Sequence, residues 1–157
     1  MSDEVRMKGR FEILEEFLRS EGWEPELVPG HRKLRMRYAT GNGAFTIYCF
    51  IPTGTATLVV LGVPDFVVPP ERRASAMELV VRMNWGMRVG CFELNLKDGE
   101  VRYKGTLDYY DCPLSPGLMR NLLNGCVTVM HDCLPVLSAF VNEGKSPTEA
   151  LALMPSL

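Results

Sequence analysis

Cys126, His131 and Cys133 fall within eight residues of one another, and thiolate and imidazole are the side chains from which zinc sites are built. On a helix, however, Cys126 and Cys133 lie two turns apart on one face, while His131 points well around the cylinder. Zinc usually takes four convergent ligands, and Cys112 could join only if its loop folded back. The spacing therefore predicts two cysteines filling an apolar stripe, and no metal site. A cysteine–histidine nucleophile pair has little to draw on. The only histidines are His31 and His131, and nothing near Cys112 would lower its thiol pKa. Asp108 and Asp111 flank Tyr109-Tyr110 and could share a proton or hold a cation. Such residues more commonly accept from the amides of a turn, and the spacing is not that of a calcium loop. Gly41-Asn42-Gly43 and Gly54-Thr55 lack the trailing helix of a nucleotide loop and read as hairpin turns. No catalytic residue, cofactor site or metal site is assigned.

Two groups of residues are candidates for binding instead. Lys33, Arg35 and Arg37 alternate with Leu34, Met36 and Tyr38, so a strand here has one cationic and one apolar face. Its cations stand about 6–7 Å apart and repel one another unless acids or a partner face them. They are the candidate partner-binding residues, suited to an acidic or phosphate-bearing ligand. The competing reading is a solvated sheet face or edge paired with Glu24, Glu26 or the acids of the first helix. Trp85-Gly86-Met87 sits at a helix-to-strand junction, where Trp85 and Met87 form a candidate dimer surface. Met77, Met83, Met119 and Met130 fall at helical core spacings.

At 157 residues the chain is expected to be one domain, 1–157, large enough to bury a core unaided. Hydrophobic residues make up 46% and charged residues 23%, an ordinary soluble composition. A formal net charge of -2 gives no overall field favouring nucleic acid. The charged start, Ser2-Asp3-Glu4, lacks the apolar core of a secretory signal. Apolar runs such as Ala56 to Val63 are too short to span a bilayer. Five cysteines without a Cys-x-x-Cys pair suggest a reducing compartment. The expectation is a cytoplasmic protein engaging neither membrane nor nucleic acid.

The elements that must position these residues follow from periodicity. Met7, Phe11, Leu14 and Leu18 mark an amphipathic helix ending near Gly22. Trp23 to Val28, interrupted by Pro25, reads as an edge strand or lead-in. The cationic strand follows, then the Gly41-Asn42-Gly43 turn, and Phe45, Ile47, Cys49 and Ile51 form the next apolar face. Thr57 to Val63 is nearly all apolar, as in a central strand covered on both faces. Pro70 and Glu71 open a helix in which Ala74, Met77, Val81 and Asn84 share a face. Cys91 to Leu96 and Val101 to Thr106 alternate on either side of Asp98-Gly99, which predicts a hairpin. Ser115-Pro116 starts a long helix with Leu118, Leu122, Cys126, Met130 and Cys133 as its buried stripe. Pro135 displaces the carbonyl of His131 and is expected to kink it. Gly144 ends it, and Ser146-Pro147-Thr148-Glu149 is a capping box for a short last helix. The order is α-β-β-β(-β)-α-β-β-α-α. It predicts an α+β fold, an antiparallel sheet of five to six strands with helices packed on it.

With that order, residues from about 80 to 144 resemble the YbjN family of bacterial proteins. The resemblance is carried by Met83-Asn84 at a helix end, Cys91-Phe92-Glu93-Leu94-Asn95, Asp98-Gly99-Glu100-Val101-Arg102-Tyr103, the Leu114-Ser115 helix start and Asp132-x-x-Pro135. Related sequences often carry a second Asn shortly after the first, where this chain has Trp85-Gly86-Met87. The resemblance implies a type III secretion chaperone-like fold, dimerisation and a sensory or regulatory role. It implies no active site. The expected function is a non-enzymatic, chaperone-like module that binds a protein partner as a homodimer. The alternative is a small-molecule-binding protein or enzyme with a cleft beside the long kinked helix, using Cys112, His131 or the Asp108/Asp111 pair.

Overall fold

The computed structural model describes residues 3–155. Four helices, α1 (Asp3–Ser20), α2 (Arg73–Asn84), α3 (Pro116–Val141) and α4 (Pro147–Leu151), accompany six strands. The strands are β1 (Glu26–Leu27), β2 (Lys33–Thr40), β3 (Gly43–Phe50), β4 (Thr57–Pro64), β5 (Cys91–Leu94) and β6 (Val101–Asp108). They form one antiparallel sheet in the order β1-β2-β3-β4-β6-β5. Hairpin connections produce this order everywhere except between β4 and β5, where α2 carries the chain to the far margin. The predicted α+β architecture is the observed one.

Sheet and helices meet across a single core. A side chain on Gly62 of β4 would lie 2.5 Å from Met130 Cγ and 3.0 Å from Cys126 Sγ, so the missing Cβ lets α3 settle onto the sheet. Leu14 and Leu18 of α1 join the same core, and Glu21 just beyond α1 accepts two bonds from Arg120 of α3 at 2.6 and 2.7 Å. On the opposite sheet face, Leu61 is buried between its cross-strand partners Tyr48 and Lys104. Half-exposed side chains thus cover the second face of β4, as its continuous apolar run predicts. α3 is long and apolar enough to cross a bilayer by length and composition, unlike the shorter runs weighed from the sequence. Here half of its most apolar window is buried as the core helix.

The helix signals largely hold. Ser115 caps α3, accepting from the Leu118 amide at 3.3 Å, and Ser146 with Glu149 completes the capping box of α4. One turn of 3-10 helix, Pro70–Arg72, precedes α2. Two predicted stripes need correction. Leu118 is exposed on the first turn of α3, whereas Leu122, Cys126, Met130 and Cys133 are buried. In α2 the buried residues are Ala76, Leu79, Val80 and Met83, while Ala74, Met77 and Val81 face solvent. Both sets recur at helical spacing, and packing against β5 and α4 decides which turns inward. Met77 is therefore not a core residue, unlike Met83, Met119 and Met130. The side chain of Met7 lies outside the described residues.

The β5–β6 hairpin is longer than an Asp-Gly two-residue turn. Leu94 pairs with Val101, Asn95 donates to Glu100 O at 2.9 Å, and Asp98 accepts from the Glu100 amide at 2.9 Å. Gly99 takes a φ of +83°, and a Cβ there would lie 2.1 Å from Val68 O. Glycine is thus required for both conformation and space.

Candidate functional site

The cationic face of β2 exists, and each of its cations has a partner. Arg35 Nε bonds Glu26 Oε2 at 3.1 Å. Arg37 forms a two-pronged pair with Asp65, which raises the Arg37 pKa and lowers that of Asp65. Lys33 Nζ lies 4.8 Å from the Phe50 ring centre and 5.4 Å from that of Tyr48. These pairs are solvent-exposed, and such pairs contribute little to stability.

Beside this face a groove of about 930 Å³ opens at the β1–β2 margin, lined by Trp23, Glu24, Glu26, Arg35, Arg37 and Tyr38 among others. Trp23 packs against Tyr38 with ring centres 5.2 Å apart. β1 begins at Glu26, and the Pro25 carbonyl just before it accepts from Arg19 at 3.3 Å.

The second candidate surface lies on α2. Trp85 is 89% exposed, Val81 68% and Met77 45%, and with Ala74 they follow one another at three- and four-residue spacing along the solvent side. Met87 is half-buried and packs against the core, so the open patch runs from Trp85 back along α2 rather than on to Met87. Glu78 and Arg82, an i,i+4 pair at 3.0 Å, border the stripe.

The reactive residue types do not converge. Cys126 and Cys133 are buried in α3, where burial pushes both thiols up to about 12. Cys49, buried in β3, is also shifted upward by burial. Cys112 is exposed in the loop before α3. Asp108 accepts from the Tyr110 amide at 3.0 Å, the turn-closing arrangement. Among the described residues no three His, Cys, Asp or Glu side chains are grouped as metal ligands.

Two asparagines missed as functional elements organise the margins. Asn84, at the end of α2, accepts from the Phe92 amide at 2.7 Å and donates to the Phe92 carbonyl at 3.0 Å. Its carboxamide thus imitates a neighbouring strand along the outer edge of β5. Asn42, in the β2–β3 turn, donates to the carbonyl of His131 at 2.9 Å. The Met83-Asn84 pair was visible as part of a family resemblance, without a role.

A family model described as "Putative bacterial sensory transduction regulator", YbjN, matches residues 10–139. The chain belongs to the YbjN family. Its fold is similar to that of "YbjN, a putative transcription regulator from E. coli", with a TM-score of 0.65 and 10% identity over 84% of this chain and 92% of that one. The HopA1-SchA chaperone-effector complex contains a chain similar to it with a TM-score of 0.51 and 16% identity, covering 83% of this chain and 95% of that one. The type III secretion chaperone-like fold is therefore shared by this YbjN member. Among curated proteins none is similar enough to count as a relative.

Proposed function

We propose that this YbjN-family chain is a non-catalytic, chaperone-like regulatory module, one domain spanning the chain, that binds a protein partner and works in the cytoplasm as a homodimer. The observation that carries this reading is the exposed stripe of Met77 and Val81 on α2 with Trp85 just past its end. A tryptophan 89% exposed and in line with two further apolar side chains is costly to leave in water. Buried tryptophan is also enriched among the residues that dominate protein interfaces. The family description and the fold shared with a chaperone from a chaperone–effector complex support the same reading. So does the use of the potentially reactive groups in packing and turn closure, as with Cys126, Cys133 and Asp108.

The stripe is self-complementary. If two copies of α2 cross antiparallel about a point near Leu79, Met77 meets the partner's Val81, Trp85 reaches the small Ala74, and Glu78 approaches Arg82 across the axis. Light scattering at micromolar concentration is expected to give twice the chain mass, and Trp85→Glu the mass of one chain. A wild-type monomer at that concentration overturns the dimer. Cross-linking in the native cell, followed by reconstitution with the purified partner, tests the protein-binding part.

A further inference from the structure

Asn42, in the β2–β3 turn, meets His131 of α3 twice. Its Nδ2 group donates to the His131 carbonyl at 2.9 Å and stands 3.4 Å from the ring Nε2. The carbonyl fixes which way the carboxamide points, because a carbonyl oxygen only accepts and so takes Nδ2 rather than Oδ1. That orientation presents an N–H to the imidazole, which can receive it only while Nε2 carries no proton. A protonated Nε2 is itself a donor, and donor then faces donor. Turning the carboxamide over would suit the charged ring through Oδ1. It would also strip the carbonyl of the partner that replaces the bond lost to Pro135. No single placement of Asn42 serves both groups of a charged His131. The second contact of this turn with α3 is apolar and indifferent to pH: a Cβ on Gly43 would lie 3.6 Å from Leu134 Cδ1.

We propose that His131 makes the tie between the β2–β3 turn and α3 sensitive to acid, holding the turn while the ring is neutral and releasing it as the ring takes a proton. Few other charges bear on the ring. On α3 its neighbours are the Asp132 carboxylate and the Cys133 thiol, which is buried in the core. The turn itself, Thr40 to Ala44, carries no titratable side chain, and neither does the tail from Leu153 to Pro155, where Met154 touches Cys133. Arg37 and Asp65, the nearest charges on β2 and after β4, bond each other on the opposite sheet face, since Arg37 alternates with the buried Leu34 and Met36. The sign follows from which ring state the tie needs. Its contribution to stability is present while the ring is neutral and is lost as pH falls through the range in which imidazoles exchange their proton, about pH 8 to 5. What opens is one corner of the sheet, at the point where α3 lacks its own hydrogen bond, so the change is local rather than global unfolding.

An NMR titration of the isotope-labelled full chain tests this directly. The side-chain amide of Asn42 is expected to shift with the same midpoint as the His131 ring, and the main-chain amides of Asn42 and Gly43 to lose protection from exchange on the acid side. Asn42→Ala is then compared with the wild type in urea at about pH 8 and about pH 5. Its effect on the unfolding equilibrium constant is expected to shrink about threefold or more on acidification, within the range of one net hydrogen bond. Protonation of Glu93 or Asp132 acts on both proteins alike and cancels in that comparison. His131→Gln keeps an acceptor but removes the titration, so in that background Asn42→Ala should act equally at both pH values. Asn42 resonances that stay still while His131 titrates overturn the proposal. So does an Asn42→Ala effect that is the same at both pH values in the wild-type background, or a pH dependence that survives His131→Gln. Should Asn42→Ala fold poorly, the titration of the unaltered chain decides alone.

Discussion

Asn42 holds the carbonyl of His131 at 2.9 Å, and that carbonyl is the one Pro135 leaves without its helical donor. Proline at position i removes the bond to i−4, and here a turn 89 residues away in sequence supplies a replacement. α3 remains helical from Pro116 to Val141 through the proline, with the β2–β3 hairpin tied to it. Asn42→Ala is expected to cost about 0.5–1.5 kcal/mol in urea denaturation, the range for one net hydrogen bond. In a Pro135→Ala background the helix can satisfy His131 itself, so the same substitution should cost less. Additive effects in that double-mutant cycle would show that the two residues are not coupled.

Asn84 makes the second prediction. Its carboxamide serves both main-chain groups of Phe92, which lie at a partly buried margin. Asn84→Ala should lower stability by about 1–3 kcal/mol, the cost of leaving such groups unsatisfied, and speed exchange of the Phe92 amide. Asn84→Asp retains an acceptor but loses the donor, so its loss should be intermediate. An unprotected margin also invites pairing between chains, so the alanine variant should aggregate sooner on heating.

Thiol accessibility gives a third. Cys112 is exposed, Cys91 partly so, and Cys49, Cys126 and Cys133 are buried. An aromatic disulfide reagent should label Cys112 first in the native protein, and Cys112→Ser should remove the fast phase. Cys49, Cys126 and Cys133 should react only on unfolding, because burial raises all three thiols well above neutral pH and denies the reagent access.

The acid limb of stability gives a fourth. Burial by itself would raise the pKa of Glu93, but hydrogen bonds and charge from Lys104 and Arg102 bring it below the ordinary glutamate value. A folded-state pKa below the unfolded one means a contribution fully present above about pH 5, which is lost as pH falls through the folded value. Denaturation midpoints should therefore decline on acidification, and Glu93→Gln should make that decline shallower. An unchanged slope would exclude this triad as a source of acid sensitivity.

The alternating runs around Gly41-Asn42-Gly43 and Asp98-Gly99, the N-cap at Ser115 and the capping box at Ser146 made strand order and helix starts legible in the sequence, because turns and caps are local chemistry. The face of α2 was not legible. Ala74, Met77 and Val81 have the same helical spacing as Ala76, Leu79 and Met83, and burial depends on β5 and α4, which follow in sequence. Asn42 and Asn84 were equally silent, since one reads as a turn former and the other as a helix end. Their partners, His131 and Phe92, are main-chain groups, which carry no residue-type signal. The cationic strand was legible as a pattern, but its pairing with Asp65 depends on β4 returning alongside β3.

The carboxamide stopper on Phe92 bears on how far copies of this chain could stack. Runaway fibre growth through sheets requires a receptive flank at each end of every unit, so that one unit's exit is the next unit's entrance. With Phe92 plugged at the β5 flank, a strand adding there must first displace Asn84. That local stopper raises the cost of sheet-to-sheet growth through this border.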